Sequence, residues 1–468
     1  MLFNVLRHVT VLRMFERFTP LSISLLLALA SVSASATEIE HLREVGVAEV
    51  DITPDYPIRL SGYAARTGEC IGVAQHVWAR ALAIGSDKEH PAILITVDNC
   101  GVPMNVHDEV AKRLHDKKGI DAAHLAICST HAHSAPWLNG YLGNLFGTPI
   151  PADQQARVER YTRETTDALE VVVLKALADR QPSRLSRGKG GALFAANRRS
   201  PPGGPVDHDL PVLVVTGTNG SVRAIFASYA CHGTTLGGDF NQVCGDWAGF
   251  AVEYLEKEHP GTDVLISLGC AGDANPAPRG TLEMTRQHGE EIRAAVDVVL
   301  TNALIPVAGK LVCREKKIEL PLAEFPTRAE WEARARATNY DGRFAKRILL
   351  RLDRGEKLPT EIPFIVQTWT FGDNLTMLFL SGEVVVDYAL RLKHEFDPSR
   401  LWINAYANDV PCYIPSERIL KEGGYEGGGA MIFYDWPTPF APGVENRIFE
   451  TVHKLVPKEF AGNQRKPE

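Results

Sequence analysis

The chain has 468 residues, of which 45% are hydrophobic and 23% charged, a composition typical of a large globular protein. The formal net charge is −7 and no block of lysine and arginine occurs, which argues against a nucleic-acid partner. The length permits two or three domains. Since no linker, repeat or low-complexity tract divides the sequence, we expect residues 37–468 to form a single domain.

The N-terminal segment differs from the rest of the chain. Three arginines precede an apolar run at residues 21–32, and small residues at 34–36 follow it. This order is typical of a secretory signal peptide, and the run is shorter than the ~20 residues that span a bilayer. We expect residues 1–36 to be a signal peptide, the mature chain to begin near Thr37, and the protein to be exported to the periplasm or the extracellular space. An uncleaved membrane anchor is the alternative.

Eight cysteines are spread along the chain without a C-x-x-C pair. An even number of cysteines in an exported protein permits disulfides. Because Cys128 and Cys231 stand in apolar, strand-like segments, we expect most of the cysteines to be buried as small hydrophobic residues.

Strand-like and helix-like patterns alternate along the chain, which predicts an α/β fold. Turn signals between neighbouring strands predict two hairpins, so we expect mixed β-sheets flanked by helices. The predicted strands are 47–52, 80–84, 91–97, 124–129, 210–216, 222–229, 263–269, 310–322, 364–371, 375–381 and 401–407. The predicted helices are 105–115, 155–180, 246–258, 282–303, 327–337, the arginine- and lysine-rich stretch that follows it, and 384–396.

Two histidines follow directly after an apolar strand. His131 and His133 are two residues apart in the segment 129–134 (STHAHS). In an extended chain this spacing puts both side chains on one face. The pair suits one divalent metal, or one metal ligand beside an acid–base group. A polar turn with two unrelated histidines is the alternative.

A second strand ends in the same way, at His232 in the segment 229–233 (YACHG). A lone histidine at a strand end is usually structural, but the repetition of the pattern favours a metal ligand. The loop after it leads to Asp246, which is suited to be the N-cap or a first-turn residue of the next helix.

Three further segments place polar groups after apolar strands. The glycine-rich loop 267–276 has free backbone N–H groups that suit an oxyanion, although a plain strand-to-helix turn explains it equally well. Glu383 precedes a helix, where the helix dipole favours an acidic residue in any case. Residues 408–413 and 424–428 are typical of substrate-contacting loops or of ordered surface loops.

Taken in order, these segments resemble the catalytic domain of the neutral (non-lysosomal) ceramidases from about Val47 to about Tyr425. The resemblance implies the α/β fold of that catalytic domain. Its landmarks are residues 51–54 (DITP), 61–63 (SGY), 80–81 (RA), 129–134 (STHAHS), 197–198 (NR), 206–207 (VD), 245–246 (GD), 272–273 (GD), 382–383 (GE), Asn408 and 425–427 (YEG).

The resemblance also implies a metal centre. In that family one zinc ion per chain is held by two histidines, a glutamate and a tyrosine, and the matching positions here are His131, His232, Glu383 and Tyr413. Zinc prefers such nitrogen and oxygen ligands in a four-coordinate site that keeps a position for water. His133 is then a catalytic group beside the ligands, suited to carry a proton near neutral pH.

Three more positions correspond to the family's substrate-contacting groups. Arg198 and Tyr425 match a basic residue and a tyrosine that line the site, and both are suited to stabilise an oxyanion. Asn275 stands where the family carries a serine tied to catalysis. Since asparagine donates a hydrogen bond but cannot be a hydroxyl nucleophile, a metal–water mechanism survives this change and a serine mechanism does not. Typical members also carry a C-terminal immunoglobulin-like domain, which we do not expect in this chain.

Together these features predict an exported zinc-dependent hydrolase that cleaves an amide (N-acyl) bond of ceramide or a related lipid by metal-activated water. The expected partner is a small-molecule or lipid amide, and both a peripheral membrane contact and the oligomeric state stay open. One alternative, suggested by Asn275, is a catalytically silent binding protein. The other is a metal-dependent phosphoesterase, for which the candidate ligands are Asp98, Asp239, Asp246 and Asp273.

Overall fold

A computed structural model describes residues 42–199 and 204–462, so the expected signal peptide lies outside the described residues. From Arg43 onward the described chain forms one compact unit. Its strands and helices alternate as the sequence patterns predict, and the α/β class with mixed sheets is confirmed. In the described ranges, no helix combines the length and apolar character that crossing a membrane requires.

Eleven strands were predicted, most of them to within a few residues, whereas those at 181–191, 195–197, 274–276, 305–306, 383–384 and 413–414 were not. The described strands are β1 (Leu42–Asp51), β2 (Trp78–Ile84), β3 (Ala92–Val97), β4 (Leu125–Ser129), β5 (Gln181–Gly191), β6 (Ala195–Asn197), β7 (Asp209–Gly217), β8 (Val222–Ser228), β9 (Asp263–Ser267), β10 (Ala274–Pro276), β11 (Ile305–Pro306), β12 (Leu311–Pro321), β13 (Glu361–Phe371), β14 (Leu375–Leu380), β15 (Glu383–Val384), β16 (Leu401–Asn404) and β17 (Tyr413–Ile414).

Two main sheets organise these strands. The larger has the order β4-β3-β2-β1-β5-β7-β8-β9, with β11 beside β5, and the smaller has the order β12-β13-β14-β16. Both are mixed: β3–β4, β8–β9 and β14–β16 are parallel pairs, whereas β7–β8 and β13–β14 are the two predicted antiparallel hairpins. Two short pairs, β6–β10 and β15–β17, lie outside them.

Helices cover the outer faces of the two sheets. The described α-helices are α1 (Met104–Lys118), α2 (Ala152–Ala178), α3 (Asp246–Glu258), α4 (Leu282–Thr301), α5 (Arg328–Arg334), α6 (Tyr340–Asp353), α7 (Val386–Glu395), α8 (Glu417–Glu422) and α9 (Val444–Leu455). Helices α2, α3 and α4 contact the large sheet, whereas α9 contacts β12 and β13 of the small one. The fold therefore has four layers: helices, large sheet, small sheet and helices.

The alternation of side chains along each strand supplies both cores. In β14, Met377 and Phe379 face the large sheet, whereas Leu378 and Leu380 belong to the core under the helices. Between the sheets, the ring of Phe226 stacks on that of Trp402 at 4.7 Å. This packing buries apolar side chains on both faces of each sheet.

Some elements of the structure were not predicted or were predicted with different bounds. Strand β5 lacks an apolar alternation, yet it pairs along its length with β7. Its Gly188 lies under helix α4, where an added Cβ would come 2.4 Å from Val299. The strand has glycine at this position because the helix approaches too closely for a larger residue. The predicted helix 384–396 begins only at Val386, because Glu383 and Val384 form β15. Helix α9 was not predicted.

All eight cysteines lie in the described residues as free thiols. Seven are buried and Cys313 is half-buried, which confirms the expectation for most of them.

Candidate metal centre

Four side chains from separate parts of the chain meet in one buried cluster. The Nε2 atoms of His131 and His232 each lie 3.1 Å from Oε2 of Glu383. The Oη atom of Tyr413 lies 3.1 Å from Nε2 of His232. All four residues are buried. The structure thus brings together two nitrogen and two oxygen atoms from the four positions that the sequence predicts as ligands.

Backbone carbonyls fix the orientation of both imidazoles. The Nδ1 atom of His131 is 2.5 Å from the carbonyl oxygen of Cys100, and that of His232 is 2.7 Å from the carbonyl oxygen of Ala271. A carbonyl oxygen only accepts, so each Nδ1 carries a hydrogen, and Nε2 is the ring atom that faces Glu383 and is free to bind a metal once it is deprotonated. This is the arrangement that a histidine needs to bind a metal through Nε2.

The carboxylate of Glu383 has one satisfied and one unsatisfied oxygen. Its Oε1 accepts a hydrogen bond from the hydroxyl of Tyr434. Its Oε2 is buried and accepts no hydrogen bond from the described protein. Burying a charged oxygen without a partner is costly, and a cation among these ligands would remove that cost. The donor set of two imidazoles, a carboxylate and a phenol fits a zinc ion.

The charges of the cluster depend on one another. Burial alone would raise the pKa of the Glu383 carboxyl, but the imidazoles of His131 and His232 hold it well below its usual range. Burial, with repulsion from Arg198, lowers the pKa of His232 to about 4. Although burial also opposes it, the Glu383 carboxylate raises the pKa of His131 to about 10. The cluster therefore holds one proton that a divalent cation would displace.

The ends of two strands of the large sheet position the histidines. His131 follows β4 and His232 follows β8, and the next residues, Ala132 and Gly233, form a parallel bridge. Asp246 holds the loop after His232, because its carboxylate accepts hydrogen bonds from two backbone N–H groups of that loop, at 3.0 and 3.1 Å. It is the first residue of α3 and not its N-cap.

The short pair β15–β17 positions the oxygen ligands. Glu383 and Tyr413 are direct partners in its register, so parallel pairing alone sets them side by side. The pair is fixed to the glycine-rich loop 267–276, where the N–H of Gly272 donates to the carbonyl oxygen of Val384 at 2.8 Å. That loop therefore acts as a structural support for the metal cluster.

His133 lies at the edge of the cluster. Its Nε2 is 3.0 Å from Nε2 of His131, and its ring meets that of Tyr63 edge-on at 5.0 Å. Burial lowers the pKa of His133 well below its usual value, and the neighbouring imidazoles act in the same direction. The side chain also lines the cavity above the cluster, so it stands between the ligands and any bound substrate.

Arg198 connects the remaining predicted site residues. Its Nε donates to Glu426 at 2.7 Å and its Nη1 donates to Oδ1 of Asn275 at 3.2 Å. Its guanidinium carbon lies 5.3 and 5.5 Å from the ring centres of Tyr413 and Tyr425. The guanidinium is thus held by a carboxylate, an amide and two aromatic rings beside the cluster.

A cavity with two lobes opens over the cluster. The polar lobe has a volume of about 570 Å³ and is lined mainly by charged and amide side chains: Arg198, Arg199, Arg279, Asn275, Glu422 and Glu426. The aromatic lobe has a volume of about 210 Å³, and its lining includes Tyr141, Leu142, Leu145, Phe433 and Tyr434. Both lobes share Tyr63, His133, Tyr413 and Tyr425, so the cluster lies where they join.

A model of the family described as "Neutral/alkaline non-lysosomal ceramidase, N-terminal" matches residues 44–280, half of the chain. The chain belongs to the neutral/alkaline ceramidase family. This confirms the resemblance that the sequence motifs indicated, and it makes the protein a hydrolase of the ceramidase type. The matched segment contains His131, Arg198, His232 and Asn275, whereas Glu383 and Tyr413 lie beyond it.

Solved ceramidase structures share the fold of this family member. The neutral ceramidase from Pseudomonas aeruginosa aligns with a TM-score of 0.68 at 17% identity, covering 89% of this chain and 75% of that one. A ceramidase complexed with C2 aligns with a TM-score of 0.69 at 17% identity, covering 91% of this chain and 78% of that one. A search of curated proteins found no match.

Sequence reasoning missed two residues that complete this ceramidase-type site. Glu426 lies within the motif 425–427, but nothing there indicated that it orients Arg198. Tyr434 ends a short 3₁₀ helix in an apolar run, so its residue type and context are those of an ordinary core position. The hydrogen bond to Glu383 distinguishes Tyr434 only once the chain is folded.

Proposed function

We propose that this ceramidase-family protein is an exported zinc-dependent hydrolase that cleaves the N-acyl amide bond of a lipid or small-molecule substrate. The cluster of His131, His232, Glu383 and Tyr413 beneath a cavity carries the proposal. Export rests on the signal-like segment at residues 1–36, and a lipid amide such as ceramide is suggested by the family.

The ligands suit the role because three of them are fixed before any ion binds. The carbonyl groups of Cys100 and Ala271 hold the two imidazoles, and Tyr434 holds the carboxylate of Glu383. When bound, a zinc ion would supply Lewis acidity for the substrate carbonyl and acidify a water molecule. Little rearrangement is then needed on metal binding, which favours tight binding.

The residues around the cavity have separate roles in the proposed reaction. Arg198, beside the cluster and fixed by Glu426, supplies a positive charge where the amide carbonyl oxygen becomes negative. Tyr425 lines the same lobe and limits the orientation of the amide. His133 lines both lobes, and because its lowered pKa keeps the imidazole neutral, it is suited to take a proton from water and pass it to the leaving nitrogen. Asn275 contributes a hydrogen-bond donor, not a nucleophile.

The aspartates required by the phosphoesterase alternative are engaged elsewhere in the described structure. Asp98 pairs with Arg80 at 3.3 Å, Asp246 holds the loop after His232, and Asp273 accepts from the N–H of Val386 at 2.8 Å. Among the described residues, the side-chain clusters that could hold a metal include neither these aspartates nor Asp239. With one carboxylate in the cluster, the site suits one metal better than the two that phosphoesterases often use.

Metal analysis combined with a substrate panel tests the proposal. We expect about one zinc per purified chain, and hydrolysis of N-acyl amides that a chelator abolishes and added zinc restores. Phosphate monoesters and diesters in the same panel serve as controls. Full turnover by metal-free protein would contradict the zinc role, whereas zinc-loaded protein inactive on every amide would favour the silent homologue. Detection of the mature chain in the cytoplasm alone would contradict export.

A further inference from the structure

The polar lobe contains an arginine that no described carboxylate neutralises. Of its three arginines, Arg198 pairs with Glu426 at 2.7 Å, and Arg199 pairs with Glu426 at 2.6 Å and with Glu422 at 3.1 Å. Both glutamates that line the lobe are therefore engaged. Arg279 has no carboxylate within 4.0 Å among the described residues. Its Nη2 donates a hydrogen bond to the hydroxyl of Tyr63 at 3.4 Å. The lobe thus has one uncompensated positive charge.

The backbone around Arg279 is firmly attached to the site. The N–H of Ala277 donates to the carbonyl oxygen of Phe194, and that of Gly280 donates to the carbonyl oxygen of Thr235, both at 2.7 Å. Thr235 belongs to the loop that follows His232. The Arg279 side chain is exposed, but the backbone that carries it is therefore fixed relative to the metal cluster.

Asn275 adds a second free donor to the same lobe. Its Oδ1 faces Arg198 at 3.2 Å and the hydroxyl of Thr234 at 3.4 Å. Since a guanidinium only donates, Oδ1 must be the atom turned towards it, and the amide NH2 is left without a partner in the described protein. Arg279 and Asn275 thus offer N–H donors that neither glutamate of the lobe accepts.

We infer that the substrate carries a carboxylate on the amine side of its amide bond, as in an N-acyl amino acid, and that Arg279 and Asn275 bind this carboxylate. This inference rests on the proposed function. The acyl group occupies the aromatic lobe, because the apolar side chains of Leu142, Leu145 and Phe433 line it. The planar guanidinium fork matches the two oxygens of a carboxylate.

The reaction follows from this placement. The carbonyl carbon lies over the cluster, where the two lobes join. A water oxygen forms the new C–O bond, the C–N bond breaks, and the leaving nitrogen takes a proton. The products are a carboxylic acid and a free amino acid, with no co-reactant other than water. The uncharged sphingoid part of a ceramide would leave Arg279 without a partner.

Matched substrates that differ only in charge test the inference. We compare N-acyl glycine with N-acyl glycinamide of the same chain length, and expect kcat/KM to favour the anionic substrate about tenfold or more, since hydrogen bonds to charged groups are strong. Arg279→Gln should remove this preference, because it should raise KM for N-acyl glycine far more than KM for N-acyl glycinamide. Arg279→Lys should retain part of it. Arg286→Gln, on helix α4 and outside the lobe's lining, removes the same charge and should change nothing.

Equal kcat/KM for the two substrates, or a preference that survives Arg279→Gln, would overturn the inference while the proposed hydrolase stands. A strong preference for N-acyl taurine over N-acyl glycine would overturn the carboxylate assignment, because the sulfonate is the other simple anion. If zinc-loaded protein hydrolyses neither charged nor neutral amides, the proposed function itself fails. The three failures are therefore distinguishable from one set of assays.

Discussion

The two parts of the chain contribute different chemistry to one site. The part before residue 280 contributes nitrogen: His131 follows β4 and His232 follows β8 of the large sheet, and the residues next to them form a bridge. The part after residue 380 contributes oxygen: Glu383 and Tyr413 stand side by side on a two-stranded pair. The first part offers only the two imidazoles and the second only the carboxylate and the phenol, so neither part has all four ligands. The complete centre therefore exists only where the two parts meet.

The contact between the two parts is close and specific. The N–H of Gly272 donates to the carbonyl oxygen of Val384, and Asp273 accepts from the N–H of Val386, both at 2.8 Å. Gly272 also approaches Glu383 so closely that an added Cβ would lie 2.5 Å from its carbonyl oxygen. Folding of the whole chain thus sets the distance between the nitrogen and oxygen ligands.

Removing a nitrogen ligand should have the largest effect. In His232→Ala we expect bound zinc to fall from about one per chain to a trace, with complete loss of hydrolysis, because two oxygen ligands and one imidazole do not retain the ion. A chelator should then lower the thermal midpoint of the wild type but not of this variant. His394→Ala, an exposed histidine on α7, is the control. Unchanged zinc content in His232→Ala would remove His232 from the ligand set.

Removing the charge of an oxygen ligand should have the next largest effect. Glu383→Gln keeps the shape of the side chain, but a neutral amide cannot replace an anionic ligand. We expect the zinc affinity, measured by competition with a coloured chelator, to fall by more than about 100-fold, beyond the range for residues that only support ligands. An affinity within a few-fold of the wild type would mean that the oxygen part contributes little.

The contact itself can be broken without touching a ligand. In Gly272→Ala the new Cβ meets backbone atoms, which must shift, so we expect a loss of about 1–3 kcal/mol in the free energy of unfolding by urea. Zinc affinity should fall in parallel, because Glu383 moves. Gly68→Ala is the control, since an added Cβ there meets no atom within 4 Å. Normal stability and zinc affinity in Gly272→Ala would show that the two parts tolerate displacement.

The same division explains what the sequence could predict. His131, His133 and His232 are recognisable because each follows an apolar strand, and this local pattern is visible in the sequence without knowledge of the fold. Glu383 and Tyr413 were reached only through the family resemblance, since a helix start and an ordered surface loop explain them equally well. Tyr434 and the free charge of Arg279 depend on contacts between distant segments, which no local pattern encodes. The polar strand β5 was missed for a similar reason, because its place in the sheet depends on its neighbours.

Removing the hydrogen bond that orients Glu383 should have the smallest effect. Two tyrosines, one with this hydrogen bond and one without it, allow a controlled comparison. The hydroxyl of Tyr434 donates to Oε1 of Glu383, whereas the hydroxyl of Tyr406 is buried without a partner although its ring lies 4.5 Å from that of His131. We expect Tyr434→Phe to lower zinc affinity by about tenfold, as for other residues that orient a ligand. Tyr406→Phe should leave it unchanged and raise stability slightly, because an unpaired buried hydroxyl is removed.

Chelator competition and urea unfolding on both variants separate the two contributions. If Tyr434→Phe binds zinc as tightly as Tyr406→Phe, the carboxylate is held by its place in β15 and the hydrogen bond is incidental. If Tyr434→Phe alone loses affinity while both variants unfold normally, the oxygen part needs a specific donor to present Glu383. The nitrogen part meets the same need with the backbone carbonyls of Cys100 and Ala271, which no side-chain substitution removes. Substitutions that spare the ligands should therefore affect the oxygen part more than the nitrogen part.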